Sequence, residues 1–155
     1  MAWTSKTTDS GVVILSEEAT ADSDKLLVQG DFPSIVGIQI RALAIIGLRI
    51  EYTATATVGT RLLRVQLRDS VDADVLMDFR PSGTGLDIVA SATKTVEFLI
   101  PGSAPSAPLA GVASDYYVAV PNILLAAGLE LRIFDTAAIA ADADTMIVHV
   151  RGITL

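Results

Sequence analysis

The only histidine of the sequence, His149, is the side chain best suited to acid–base chemistry, and no cysteine accompanies it. A lone histidine builds a Ser-His-Asp triad only beside a buried serine and aspartate, and the sequence holds no G-x-S-x-G nucleophile elbow. In the segment MIVHVRG, alternation places His149 on one strand face with Ile147 and Arg151. This pattern is typical of a surface or interface histidine, and it predicts no catalytic residue.

The aspartates are the next candidates, because clustered carboxylates can bind calcium. Asp72-x-Asp74 imitates the start of an EF-hand loop, but Leu76 and Met77 stand where that loop needs a ligand and a glycine. Solvated turns explain the clusters better, and the sequence predicts neither a metal site nor a cofactor. Phosphate-binding glycine motifs are absent as well. The clustered residues are Asp69, Asp72, Asp74, Asp78, Asp142 and Asp144.

Charge and composition restrict the partners of the chain. Its 155 residues carry a net charge of −7, and the basic trio Arg61, Arg64 and Arg68 is followed at once by aspartates. Nucleic acid repels such a chain, so no nucleic-acid partner is expected. The most apolar stretch, 35–48, is interrupted by polar residues, so no membrane span is expected either. Charged residues make up only 19%, which indicates a surface partly covered by other proteins.

The clearest secondary-structure signal is the alternation of apolar and polar residues over 48–58. Period two over this length predicts a half-buried antiparallel strand. Gly59 and Thr60 follow as a tight turn, and residues 63–68 alternate in the same way. The two segments therefore predict one long hairpin.

Further short strands are predicted by β-branched and alternating segments, with almost no helix. Together they predict an all-β fold of two antiparallel sheets packed as a sandwich, jelly-roll-like in its connections, with a closed barrel as the second choice. Residues 1–11 read as an extended N-terminal arm and 12–155 as a single β-sandwich domain. The further predicted segments are 11–15, 25–29, 34–41, 73–79, 95–100, 116–120, 129–134 and 146–154.

Several large side chains fall where a strand should face water. Leu99, Tyr117, Phe134 and Ile147 each stand on a face that alternation assigns to polar residues. Loops that cover both faces of the sandwich explain such residues, and so does a contact between subunits. Trp3 stands alone in a polar arm, and a large aromatic side chain there usually fills a pocket. We therefore take these five residues as candidates for partner binding, with Trp3 reaching a neighbouring subunit.

The last third of the chain carries a resemblance to a known family. The segment 120–133, which reads VPNILLAAGLELRI, is followed by Asp135, an alanine-rich acidic loop with Asp142 and Asp144, and a terminal strand. With the upstream segment RVQLRD at 64–69, this layout resembles small β-sandwich virion proteins of tailed phages. The resemblance covers roughly 40–155.

The resemblance implies a capsid decoration, or cement, protein. Such proteins sit on the outer surface of the virion, often as homotrimers, and bridge subunits of the major capsid protein, and they carry no catalytic residues. Phage neck and tail proteins use similar sandwiches, so a head–tail or tail connector remains an alternative. A receptor- or glycan-binding module of a tail fibre is another, although the low aromatic content disfavours it. An enzyme is not expected.

Overall fold

The computed structural model of the chain describes residues 3–7, 12–18, 24–79, 88–99, 116–135 and 144–155. Strands dominate these ranges, and a single 3-10 turn occupies Gln29–Asp31. No helix of the described ranges is long and apolar enough to cross a membrane. The strands are β1 (Thr4–Thr7), β2 (Val12–Glu18), β3 (Asp24–Val28), β4 (Ser34–Ile35), β5 (Ile38–Gln39), β6 (Ala42–Thr53), β7 (Leu63–Asp69), β8 (Val75–Phe79), β9 (Thr93–Leu99), β10 (Tyr116–Ala119), β11 (Ile123–Ala126), β12 (Leu129–Asp135) and β13 (Thr145–Thr154).

Two large sheets form the domain. The first has the order β1-β2-β13-β6-β9-β10, with β11 paired to β6, and the second has the order β3-β12-β7-β8. Their inward side chains are mostly branched aliphatics, such as Ile50 and Val148 from the first sheet and Leu131 and Val65 from the second. Burying this apolar face is what holds two sheets together in a sandwich. The predicted all-β sandwich is therefore confirmed.

The pairing of the strands is nested. β2 pairs with β13, β3 with β12, β6 with β9 and β7 with β8, all antiparallel. The chain therefore forms a double-stranded ribbon whose tip is the β7–β8 hairpin. The ladders β6–β13 and β7–β12 roll this ribbon into two four-stranded sheets. This rolled arrangement is the jelly roll, and the short strands β1, β4, β5, β10 and β11 are additions to it.

The register places the connections at two ends of the sandwich. At one end lie the β4–β5 hairpin, the β7–β8 turn, the β11–β12 turn and the last residues of β13, because Val28 pairs with Glu130, Leu129 with Asp69, and Thr154 with Leu43. We call this the hairpin end. At the other end lie residues 54–62, residues 88–92 and the start of β13, which we call the ion-pair end after the contacts described below.

Two sequence-based predictions about pairing are wrong, and one strand was not predicted. The strand that contains 48–53 belongs to the first sheet and β7 to the second, so they form no hairpin, and residues 54–62 cross between the sheets. The segment 34–41 folds back on itself as β4 and β5 rather than running as one strand. The segment 123–126, which was not among the predicted strands, is the strand β11, and it pairs with the start of β6.

Residues 4–7, within the predicted arm, form an edge strand. β1 pairs antiparallel with β2 from Thr4 opposite Ser16 to Thr7 opposite Val13. All four of its side chains are exposed, as expected for a short polar strand that ends a sheet. The arm is therefore hydrogen-bonded to its own domain over these residues.

The β4–β5 hairpin turns on an unusual pair of residues. Val36 and Gly37 have φ values of 51° and 78°, and Ile35 pairs with Ile38 across the two-residue loop. Two positive φ values define a type I′ turn, which normally holds Asn-Gly. Valine is β-branched and strained in this left-handed region. The strained side chain is also 96% exposed, so among the described residues little packing compensates for it.

We expect the substitution Val36→Asn to stabilise the protein by about 1 kcal/mol, because asparagine tolerates the left-handed conformation that valine resists. Urea unfolding followed by circular dichroism measures the change. The matched control is Val58→Asn, which alters an equally exposed valine whose φ is not positive. A loss of stability in Val36→Asn, or an equal gain in the control, would contradict the assigned turn.

Candidate interaction surface

A buried ion pair closes one end of the sandwich. Arg61 and Asp144 are fully buried, and Arg61 Nε donates to Asp144 Oδ2 at 2.8 Å. The second carboxylate oxygen accepts from the backbone N–H and the hydroxyl of Thr55, at 2.7 and 2.9 Å. Arg61 Nη1 donates to the carbonyls of Thr57 and Gly59 at 2.9 and 2.8 Å. The guanidinium and carboxylate are thus satisfied from several sides, which a buried ion pair requires.

The core tyrosine Tyr52 links this pair to the next strand. Its hydroxyl lies 3.0 Å from Asp144 Oδ2 and 3.4 Å from Asp135 Oδ2, and Asp135 Oδ1 accepts from the backbone N–H of Leu62 at 2.9 Å. Residues 54–62, which cross between the sheets, are therefore tied to the end of β12 and to the start of β13. The network therefore has a structural role, since it holds this end of the sandwich together.

The protonation of Asp144 follows from these contacts. Burial acts to raise the pKa of its carboxyl, but the hydrogen bonds from Arg61, from Thr55 and from the Tyr52 hydroxyl outweigh it and lower the pKa from 3.8 to about 2. The hydrogen bond to Asp144 is also the main cause that raises the pKa of Arg61. The prediction of a solvated Asp144 is therefore wrong, whereas Asp142 lies outside the described residues.

The arginines near the β7 strand do not form a basic patch. Arg61 pairs with Asp144, Arg64 with Asp78 and Arg68 with Glu130. On the outer face of the same sheet, Arg132 Nη2 lies 2.7 Å from Asp24 Oδ2. Each of these cations has a carboxylate partner within its own chain, so this face presents little free positive charge.

The outer face of the first sheet carries a polar row. The register aligns Ser16, His149, Arg49 and Glu97 on four neighbouring strands, and Arg49 and Glu97 are buried. The Ser16 hydroxyl lies 2.8 Å from His149 Nδ1. A serine nucleophile would make a similar contact, but it would also need an oriented base and an oxyanion site. The row places His149 on the face with Ile147 and Arg151, as the sequence predicted.

The acidic turn between β7 and β8 is ordered by its own aspartate. Asp69 Oδ1 accepts from the backbone N–H groups of Val71 and Asp72 at 2.7 and 3.2 Å. This is an aspartate-stabilised turn of the usual kind. Within the described ranges, no three or more His, Asp or Glu side chains gather closely enough to hold a metal ion.

Trp3 lies in a pocket of its own chain. Its indole Nε1 donates to the backbone carbonyl of Leu26 at 2.8 Å, and the ring packs against the core. Trp3 thereby connects the arm of the first sheet to β3 of the second. These contacts are intramolecular, and a role for Trp3 in binding a neighbouring subunit stays a prediction.

The other candidate residues are scattered over the molecule. Leu99 is only 8% exposed, because both faces of β9 are buried, so the expectation that it faces water is wrong. Phe134 is half-buried on the outer face of the second sheet, and the Arg132 guanidinium covers its ring at 4.0 Å. Ile147 is half-buried on the outer face of the first sheet. The backbone of Tyr117 pairs with Glu97, and its side chain lies outside what the structure describes.

Most of the exposed large apolar side chains in the described ranges lie instead at the hairpin end, whereas Val58, Leu62 and Val89 lie at the ion-pair end. Val36, Val71, Leu155 and Ile38 are 96%, 84%, 75% and 73% exposed. Smaller exposed fractions occur in β4, β8, β11 and the end of β13, namely at Ile35, Val75, Leu76, Met77, Leu124 and Ile153. Sequence reasoning missed this surface because it searched the strand faces, whereas most of these residues lie in turns and at strand ends. The signal available in the sequence was the apolar content of turns that are normally polar.

Two grooves flank the β4–β5 hairpin at this end. One, of about 400 Å³, is lined by Gln29, Ile38, Gln39, Arg41 and Ala127. The other, of about 310 Å³, shares Ile38, Gln39 and Arg41 and adds Ile35, Ile40, Thr154 and Leu155. The hairpin end thus combines protruding apolar side chains with concave sites, which is typical of a protein-binding surface.

Comparisons with known proteins add little to this geometry. Neither a protein-family model nor a curated protein matches the chain. Among solved structures, the chain is similar to the structure of infectious bursal disease virus, Gx strain, with 12% sequence identity and a TM-score of 0.32. The match covers 90% of this chain and 32% of that chain. The fold assignment therefore depends on the strand order of the protein itself.

Removing the buried carboxylate in Asp144→Ala should destabilise the protein by about 3–5 kcal/mol, because Arg61 would remain buried without its counter-ion. Denaturant unfolding provides the measurement. Asp78→Ala is the matched control, since it breaks a partly exposed pair with Arg64 and should cost less than about 1 kcal/mol. Equal costs for the two variants would show that the network does not fasten this end.

Stability should also depend on pH through Asp144. Its pKa is lower in the folded chain than in the unfolded chain, so its contribution is complete above pH 3.8 and is lost as the pH falls to about 2. The free energy of unfolding of the protein and of Asp144→Asn, measured from pH 5 to pH 2, isolates this contribution. The difference between them should shrink across that interval, and a difference that stays constant would contradict the lowered pKa.

Proposed function

We propose that this chain is a structural protein of a virus particle, with a non-catalytic role. In this proposal it is a decoration protein that binds the outer surface of a tailed-phage capsid as a trimer and bridges neighbouring subunits of the major capsid protein. The rolled eight-stranded ribbon supports the proposal, because the jelly roll is a recurrent architecture of viral capsid domains. The resemblance of 40–155 to small virion proteins of tailed phages supports the finer assignment.

The observation that carries the proposal is the apolar hairpin end. A monomeric protein in water rarely exposes several large aliphatic side chains beside one another. Here they include Val36, which adopts a strained conformation and is still almost fully exposed. Strain that is kept at an exposed position suggests selection for contact rather than for stability.

Such a protein would act through mass action. Because it would bind the assembled shell and not the free capsid subunits, its binding free energy would add to the stability of the shell. A trimer would multiply a modest contact, since the second and third subunits bind intramolecularly once the first is docked. The low charge of the chain fits a surface that is partly covered in the particle.

Purified protein should co-sediment with emptied heads of the virus whose genome encodes the chain, and should raise the temperature at which these heads lose their shell. Tails separated from the same particles are the control for location. Binding to heads and not to tails is the expected result, and electron microscopy of the decorated heads would then locate the protein. Binding to tails alone, or to cell-surface glycans on an array and not to heads, would overturn the proposal in favour of a connector or a receptor-binding module.

A further inference from the structure

We infer that copies of this chain associate head-to-tail, with the β7–β8 turn of one copy docked into the two grooves around Arg41 of the next copy. The inference rests on the trimer of the proposed function and identifies its contact. The occupant of the grooves is thus a second copy of the chain, and the inserted residues are Val71 and Asp72.

The receiving site combines apolar walls with one cation. Ile38 and Arg41 line both grooves, and Leu155 closes the smaller one. Arg41 is exposed, and no ion pair joins it to any carboxylate of the described ranges. The grooves therefore suit a segment that offers an aliphatic side chain next to a carboxylate.

The β7–β8 turn offers that combination. Val71 is 84% exposed, and the exposed side chain of Asp72 follows it directly. The turn is held in shape by Asp69, whose backbone N–H donates to the Asp74 carbonyl at 2.9 Å, and by the Ser70 N–H, which donates to the Gly128 carbonyl at 3.0 Å. A turn ordered in this way loses little conformational entropy on binding.

The positions of the two sites allow a closed ring. Both lie at the hairpin end of the sandwich. The grooves lie beside the ends of β3 and β12, where Gln29 and Ala127 line the larger one, and the turn follows β7, so donor and receiving site are two different patches of one end. A head-to-tail contact generates a ring when it adds no rise along the rotation axis, and a filament when it does. The trimer of the proposed function is the closed-ring case of such a contact.

Charge gives the contact its specificity. Each copy carries a net charge of −7, so two copies repel unless a local pair of opposite charges aligns them. Arg41 facing Asp72 of the next copy provides such a pair. Complementary charges of this kind fix the register of an interface, and the apolar residues around them provide the buried area.

A charge exchange tests the inference. The protein should have three times the mass of one chain in light scattering after size exclusion, and its dissociation constant should be measurable by analytical ultracentrifugation. Arg41→Glu and Asp72→Lys should each weaken association about tenfold or more, because each opposes like charges. The double variant Arg41→Glu/Asp72→Lys should recover most of the lost affinity, because it restores the pair in reverse. Circular dichroism and melting curves confirm that the exposed substitutions leave the fold intact.

Lys6→Glu is the matched control, since it makes the same charge change at an exposed position of β1 and should leave association unchanged. A monomeric protein, or a trimer that none of these substitutions affects, would overturn the inference. Head binding is scored separately. A trimer that responds as expected but does not bind heads would overturn the proposed function and leave the inference standing. A protein that binds heads, but whose trimer none of these substitutions weakens, would overturn the inference and leave the proposed function standing.

Discussion

The structure depends on the ladder between β6 and β13, which joins the middle of the ribbon to its outermost strand. Over this ladder Val150 pairs with Leu48, Val148 with Ile50 and Met146 with Tyr52, and all six side chains face the core. Without the β6–β13 ladder, the nested pairs would form an open ribbon with both faces exposed to solvent. Closing it brings the two sheets together, and the Tyr52 hydroxyl then reaches the buried carboxylate that fastens the nearer end. Core packing and the ion-pair network are therefore one arrangement.

The sequence allowed the strands to be predicted better than their partners. Alternation identifies which residues share a face, and it located the inward side of β6 correctly from Leu48 to Tyr52. It carries no information about which strand lies next, so two alternating segments close in sequence were joined as a hairpin although they belong to different sheets. The strand β11 was not predicted because it is only four residues long and follows Pro121. The β4–β5 turn was not predicted because valine is rare at a positive φ.

The site residues show the same limit. Asp144 sits in an alanine-rich acidic segment, and its local surroundings predicted a solvated turn. Its partner Arg61 is 83 residues away, so only the closed fold reveals the pair. Phe134 was correctly placed on an outward face, but the neighbour that covers it, Arg132, belongs to its own strand. Leu99 and Phe134 on strand faces are thus covered within the chain, whereas Val36 and Val71 in turns at the hairpin end are exposed.

Nested pairing also has a consequence for biosynthesis. Strands early in the chain pair with strands that are synthesised much later. β13, which pairs with both β2 and β6, is synthesised after all the other described strands. Folding with such distant contacts is slow, and unpaired strands are prone to join the wrong chain in the meantime. A nascent copy that already exposes Val36 and Val71 at one end would be especially vulnerable. Chaperone dependence during expression, and better yields at low temperature, are the natural cost of this topology.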